Sequence, residues 1–229
     1  MHPDPLELRA RLAQARLLLL FTPELAGGRE PLEVLEAAAP WIDVVQIRPK
    51  PPGGASRAPC EARATRDWAL RTLELDAVRR HALLVTVDDR VDVARWLWAQ
   101  GLAGVHLGTE DAPPGAARAC LGPGPLVGLS THDLAAVAAA SDLPIDYLGF
   151  GPVHATGTKG YARGLGAEAA WIAAEAATRP VFPIGGVDAV NAAELARVGR
   201  AAVGAAILGA PDPAAAARAI RAALAASRP

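Results

Sequence analysis

With 229 residues, 52% of them apolar and 21% charged, the chain can bury one substantial core, and wholesale disorder is excluded. A net charge of −1 leaves no electrostatic footprint for nucleic acid, and no apolar run approaches the roughly 20 residues that a membrane span needs. Cys60 and Cys120 lack metal-ligand spacing, and Met1–Arg9 is polar with Pro3 and Pro5, unlike a secretory signal, so a reduced, cytoplasmic setting is expected.

In chain order, Leu6–Gln14 is a short amphipathic lead-in. Arg16–Phe21 (RLLLLF) is an apolar run of strand length that stops at Thr22-Pro23. A helix is predicted over Pro31–Ala39, with Pro31 suited to its first turn. Asp43–Arg48 is the second strand, Pro49–Pro59 a Pro/Gly-rich insertion, and Glu61–Arg80 one long helix. The alternation continues with strand Ala82–Val87, helix Val91–Ala99, strand Ala103–Leu107 and helix Pro114–Cys120. Strand Leu126–Leu129 and helix Asp133–Ala140 follow, then strand Asp146–Phe150 and helix Ala167–Thr178. Strand Pro180–Ile184, helix Ala189–Val198, strand Ala201–Ala206 and helix Asp212–Ser227 complete the chain.

Eight strand-like runs, each followed by a helical pattern, are the order of an α/β protein of the (β/α)8, TIM-barrel type. The strands are short and continuously apolar, as strands buried on both faces are. An open doubly wound sheet is the competing architecture. The count of eight and the absence of G-x-G-x-x-G after the first strand favour the barrel. A single domain over 1–229, with its core from about 16 to 227, is expected.

In such a barrel the functional groups sit at the C-terminal strand ends, and the polar residues here gather there. Gln46, Arg48 and Lys50 share the alternate spacing that places them on one side of an extended segment. They suit an anion at a barrel mouth, or an ordinary solvated strand end. Asp88-Asp89-Arg90 closes the third strand, and His106 through Asp111 the fourth. Carboxylates from neighbouring strand ends can share one divalent cation, although capping of the next helix is the commoner use of Asp in such places. Ser130-Thr131-His132 ends the fifth strand, where capping outweighs a nucleophile because no G-x-S-x-G elbow surrounds the serine. The sixth strand runs into Gly149–Gly160 (GFGPVHATGTKG), with four glycines, two threonines and Lys159. That is either an anion cradle or a Gly/Thr-rich turn. Gly185-Gly186 and Gly204-Ala205 follow strands seven and eight, where many barrels hold phosphate. Two anion-binding regions and a possible metal suggest transfer chemistry on phosphorylated small molecules.

Six motifs in order give the chain a family resemblance: VQIRPK at 45–50, DDRVDVA at 88–94, GVHLGTED at 104–111, GLSTH at 128–132, GPVHATGTK at 151–159 and IGGV at 184–187. Over about 18–213 the chain resembles thiamine-phosphate synthase. The resemblance implies a transferase that joins hydroxymethylpyrimidine diphosphate to thiazole phosphate, releasing pyrophosphate. By the same resemblance Asp89 and Asp111 hold Mg2+, while Gln46, Arg48, Lys50, Asp88, Ser130 and Lys159 surround the pyrimidine diphosphate. Thr156, Gly157, Thr158 and Gly186, with the backbone at Gly204 and Ala205, hold the thiazole phosphate. Lys159, Lys50 and Arg48 are its catalytic cations.

Four positions depart from the family pattern: Asp88 stands for Asn, Ala205 for a hydroxyl residue, His154-Ala155 for Phe-Pro, and Pro49 for Glu. They keep two alternatives open. One is the related thiazole tautomerase, whose acid–base chemistry would fall to His132 and which predicts loss of the metal carboxylates. The other is a barrel that binds thiamine precursors without turning them over.

Overall fold

The structure, a computed structural model, describes residues 4–50, 58–155 and 164–226. Helix α1 (Pro5–Gln14) starts at Asp4, whose side chain accepts from the Leu6 N–H, and leads into strand β1 (Leu17–Phe21). Helix α2 (Pro31–Ala38) carries Pro31 in its first turn, and strand β2 (Val44–Ile47) follows. Helices α3 (Ala58–Glu74) and α4 (Asp76–Arg80) precede β3 (Leu84–Asp88); α5 (Val91–Leu97) precedes β4 (Gly104–Leu107). The chain continues through α6 (Pro114–Leu121), β5 (Leu126–Thr131), α7 (Leu134–Ala139), β6 (Tyr147–Phe150) and α8 (Ala167–Ala176). It ends with β7 (Val181–Pro183), β8 (Ala201–Val203), α9 (Ala205–Leu208) and α10 (Pro213–Ala225).

All eight strands are parallel in one sheet of order β7-β6-β5-β4-β3-β2-β1-β8. A parallel bridge between Ile184 and Ala202 joins the two ends, so the sheet closes into the expected barrel. Strand alternation divides the core. Leu17, Leu19, Phe21, Val45, Ile47, Val85 and Val87 join the cluster beneath the helices. Leu18, Val44, Leu84, Leu126, Tyr147 and Phe182 fill the barrel interior. Leu8 and Leu12 of α1 belong to that interior cluster too, so the lead-in helix stoppers the N-terminal end.

Three expected elements differ. The long helix over Glu61–Arg80 breaks at Leu75, whose extended backbone (φ −64°, ψ 130°) separates α3 from α4 and lets Leu75, Ala77 and Val78 turn to the core. The helix expected over Ala189–Val198 shrinks to a 3-10 turn, Ala192–Leu195. Asp188 Oδ1 accepts from the N–H groups of Val190 and Asn191, while Asn191 Oδ1 accepts from that of Asp188. These side chains take over backbone donors that a regular helical start would use. The last strand stops at Val203, because Gly204 already caps α9.

Candidate active site

The polar strand ends converge on a cavity of about 1250 Å3 at the C-terminal mouth. Gln46, Arg48, Lys50, Asp88, Asp89, Asp111 and Ser130, all named from sequence, line it. Gly186, Gly204 and Ala205 are not among its lining residues. Thr156, Gly157, Thr158 and Lys159 lie outside the described residues, as does most of the Pro49–Pro59 insertion.

Asp88 ends β3 with its side chain inward, on the same face as Leu84 and Thr86. One oxygen, Oδ1, accepts from Gln46 Nε2 at 2.5 Å, and the other, Oδ2, from Arg48 Nε at 2.7 Å. Consecutive side chains on a strand point to opposite faces, and Asp89 escapes that rule by its left-handed backbone (φ 61°), a conformation that Asp tolerates better than most residues. The turn brings both neighbouring carboxylates to the same mouth. It is held by the Asp89 N–H donating to the His106 carbonyl at 2.8 Å.

Asp111 reaches back to accept from the Gly108 N–H at 2.7 Å. A Cβ at position 108 would lie 2.8 Å from that carboxylate oxygen, so any side chain there would push the Asp111 carboxylate aside. Burial pushes Asp89 from 3.8 up to about 8, with the charge of Asp88 and the hydrogen bond and charge of Asp111 adding to the shift and Arg48 opposing it. An acid raised in this way sits where negative charge is in excess, and a cation there would relieve it.

Capping explains none of these carboxylates. Arg90 occupies the position before α5 and Pro113 the position before α6, neither with a side-chain capping bond. Ser130 and Thr131 do not cap α7 either; Asp133 does, accepting from the Ala136 N–H at 2.7 Å. Ser130 Oγ instead lies 2.9 Å from His106 Nε2, and the Thr131 hydroxyl donates to the Gly149 carbonyl. His132 stands at the mouth with Nδ1 2.6 Å from the Gly151 carbonyl oxygen.

Lys50 extends the Gln46 and Arg48 row, and its N–H donates to Glu24 at 3.1 Å, which ties the end of β2 to the segment after β1. Gly186 is exposed and left-handed (φ 64°), and its carbonyl accepts from Asn191 Nδ2. Ala205 is exposed at the start of α9.

Two interior rings escaped the sequence analysis as site residues, His106 and Tyr147. They lie 5.3 Å apart between centroids and both line the cavity. Gly128 makes room for them, since a Cβ there would come within 2.2 Å of the Tyr147 ring and 2.5 Å of His106 Nδ1. The available signal was parity: His106 has the inward phase of its strand, as Gln46 and Asp88 have of theirs.

Known proteins are similar to this chain over most of its length. A family profile described as thiamine monophosphate synthase matches residues 17–208. The thiamine-phosphate synthase of Gloeobacter violaceus is 43% identical over 90% of this chain, which spans 57% of that longer protein. That of Mycobacterium sp. (strain KMS) is 40% identical over 96% of this chain and 98% of its own length. The solved structure of thiamine phosphate pyrophosphorylase from Pyrococcus furiosus superposes with a TM-score of 0.75 at 30% identity, covering 95% of this chain and 97% of the other. A 3-hexulose-6-phosphate synthase, at 21% identity and a TM-score of 0.64, shares the barrel alone. The fold and the matches over nearly the whole chain converge: the chain belongs to the thiamine monophosphate synthase family.

Proposed function

We propose that the chain is a transferase that joins hydroxymethylpyrimidine diphosphate to thiazole phosphate, giving thiamine phosphate and pyrophosphate, with both small-molecule substrates held at the C-terminal mouth. The observation that carries the reading is the crowding of Asp89 and Asp111 opposite Arg48 and Lys50 around one cavity. It separates this chain from the tautomerase alternative, which predicts loss of those carboxylates.

The site fits a divalent cation on the chemistry of its donors. Asp89 and Asp111 are half-buried acids in mutual contact, and Asp89 is raised to about 8 by that environment. Mg2+ there would supply positive charge to the diphosphate oxygens, a role such ions commonly take with one or two protein carboxylates. Asp88 is a poorer ligand because Gln46 and Arg48 already occupy both its oxygens.

The remaining chemistry is positioning and charge. Arg48 and Lys50, with Lys159, would take up the negative charge that grows on the diphosphate as its oxygen parts from the pyrimidine methylene carbon and keeps the bonding pair. The thiazole nitrogen then donates its lone pair to that carbon, so no protein nucleophile is consumed. Ser130 and Gln46 would orient the pyrimidine diphosphate; Thr156, Gly157, Thr158, Gly186 and the backbone at Gly204 and Ala205 would hold the thiazole phosphate. Fixing both reactants in line contributes as much as the charges do. A biosynthetic role of this kind suits the cytoplasm, and no helix among the described residues is long and apolar enough to cross a membrane.

Pyrophosphate release from the purified protein tests the reading. Release is expected only with both precursors and Mg2+ together. Interconversion of thiazole phosphate isomers without pyrophosphate release would turn the assignment to a tautomerase. Binding of the precursors with neither reaction would leave a binding barrel.

A further inference from the structure

The segment after β7 reads Ile184-Gly185-Gly186-Val187, and its first three carbonyls are held from two sides. The Val153 N–H donates to the Ile184 carbonyl at 2.8 Å and the His154 N–H to that of Gly185 at 3.0 Å, both from the segment after β6. The Gly186 carbonyl meets no backbone donor among the described residues, and Asn191 Nδ2 donates to it instead at 2.8 Å. Asn191 is itself fixed. Its Oδ1 accepts from the Asp188 N–H at 3.0 Å, while Asp188 Oδ1 accepts from the N–H groups of Val190 and Asn191 at 2.8 and 3.1 Å. With oxygen and nitrogen of its carboxamide both committed, the side chain is clamped in one orientation.

The clamp matters because of what it holds. Gly185 and Gly186 both have left-handed backbones (φ 99° and 64°), and consecutive glycines have many conformations of similar energy. Glycine is nevertheless required at both positions. A Cβ at 185 would lie 2.8 Å from Pro152 Cα, and one at 186 would lie 2.5 Å from the Ala155 carbonyl oxygen. Rigidity must therefore come from outside the turn. A peptide unit is planar and trans, so holding a carbonyl also fixes the N–H of the next residue, which points the opposite way. The His154 bond thus aims the Gly186 N–H, and the Asn191 bond aims that of Val187. Neither N–H donates to any described residue. Adjacent donors of this kind at a turn form a concave seat for the oxygens of an anion.

We propose that Asn191 is a positioning residue that preforms this seat for the phosphate of the thiazole substrate, with the Val187 N–H as one of its donors. The proposal rests on the transferase reading and deepens it. Asn191 acts through the Gly186–Val187 peptide and does not itself touch the ligand. A turn already ordered spares the ligand the cost of immobilising two glycines when it binds. The effect falls on one substrate, because none of the bonds in the clamp reaches Arg48, Lys50 or the carboxylates of the mouth.

Two variants test it through initial rates of pyrophosphate release with Mg2+, well below their melting temperatures. Asn191→Ala removes both bonds of the carboxamide. Asn191→Asp keeps an acceptor for the Asp188 N–H, and with it the turn over 188–191, but has no donor for the Gly186 carbonyl. KM for thiazole phosphate at saturating pyrimidine diphosphate is expected to rise about tenfold in both, the factor that one hydrogen bond supplies. KM for the pyrimidine diphosphate should change by less than about twofold, as expected when binding of one substrate alone is weakened. Asn191→Asp should melt with the unmodified chain, so a raised KM in that variant reports aiming rather than loss of the turn. The proposal is overturned if Asn191→Asp keeps the KM of the unmodified chain for thiazole phosphate, or if both KM values rise together in either variant. Either result comes from a chain that releases pyrophosphate and so leaves the transferase reading standing. Absence of release from the unmodified chain, given both precursors and Mg2+, means that the reading itself has failed and the proposal with it.

Discussion

The two ends of the barrel use the same residue type in opposite ways. At the N-terminal end, Asp43 accepts from the N–H groups of Arg16 and Leu17 and pairs with Arg221 at 2.7 Å. Asp146 accepts from the Val127 N–H and pairs with Arg9 at 2.9 Å and Arg118 at 2.8 Å. Each carboxylate there sits among donors drawn from distant parts of the chain. At the C-terminal end Asp88, Asp89 and Asp111 crowd one another, and Asp89 is pushed up to about 8. The first arrangement lowers the energy of the fold with the chain's own groups. The second keeps acid charge incompletely met by protein groups, in an open mouth, at a residue whose left-handed backbone itself costs energy. Matched charges at one end let the other end stay mismatched, and a mismatch of that kind is what a diphosphate and its cation can complete.

The contrast breaks most visibly if an acid at the mouth is removed. Asp111→Asn keeps shape and the bond to the Gly108 N–H but withdraws one charge from the cluster. Turnover is expected to fall about a hundredfold or more, with the Mg2+ concentration for half-maximal rate rising, since loss of a group that stabilises transition-state charge commonly costs that much. Melting temperature should stay the same or rise, because relieving like-charge crowding favours the folded chain. An unchanged metal requirement would sink the assignment of Asp111 as a ligand.

At the other end the expected effects change places. Asp146→Ala strands two arginines and a strand N–H around a side chain that is only 9% exposed. Breaking a largely buried pair from one side costs about 3 kcal/mol, which lowers the melting temperature of a chain this size by roughly 6–12 °C. Turnover per folded molecule at low temperature should be unaffected. A variant that melts normally but loses turnover would show that the division between the two ends is wrong.

The barrel was legible because buried strands write themselves as short apolar runs, and β1 through β8 each carry one. What stayed illegible was decided by local competition. Leu75 breaks a pattern that looks helical throughout, because the following turn must lay Ala77 and Val78 against the core. Asp188 and Asn191 capture backbone N–H groups and shorten a helix whose periodicity gave no warning. At the site, the carboxylates and cations were legible as residue types at strand ends, whereas their geometry was not. Adjacent Asp88 and Asp89 would face apart on a regular strand, and only the left-handed backbone at Asp89 reunites them. His106 and Tyr147 resemble ordinary core residues in sequence, and their place in the cavity depends on the space that Gly128 leaves.

The smallest expected effect is one of pH, and it measures the mismatch directly. Asp89 titrates near 3.8 when unfolded and near 8 in the folded chain. Between those values the folded state holds a proton that the unfolded state has released, so stability linked to this group is greatest at low pH. It is lost progressively as pH rises through the folded value. The difference in melting temperature between the unmodified chain and Asp89→Asn, measured without metal, should therefore shift against the unmodified chain between pH 5 and pH 8. Water at the open mouth screens much of the effect, which leaves about 2–4 °C, the change that roughly 1 kcal/mol produces in a chain of this length. Adding Mg2+ at pH 8 should recover the loss in the unmodified chain more than in Asp89→Asn, since a cation favours the ionised carboxylate and displaces its proton. A difference that stays flat from pH 5 to pH 8 would mean that Asp89 is already ionised and compensated, and that the two ends of the barrel are charged alike.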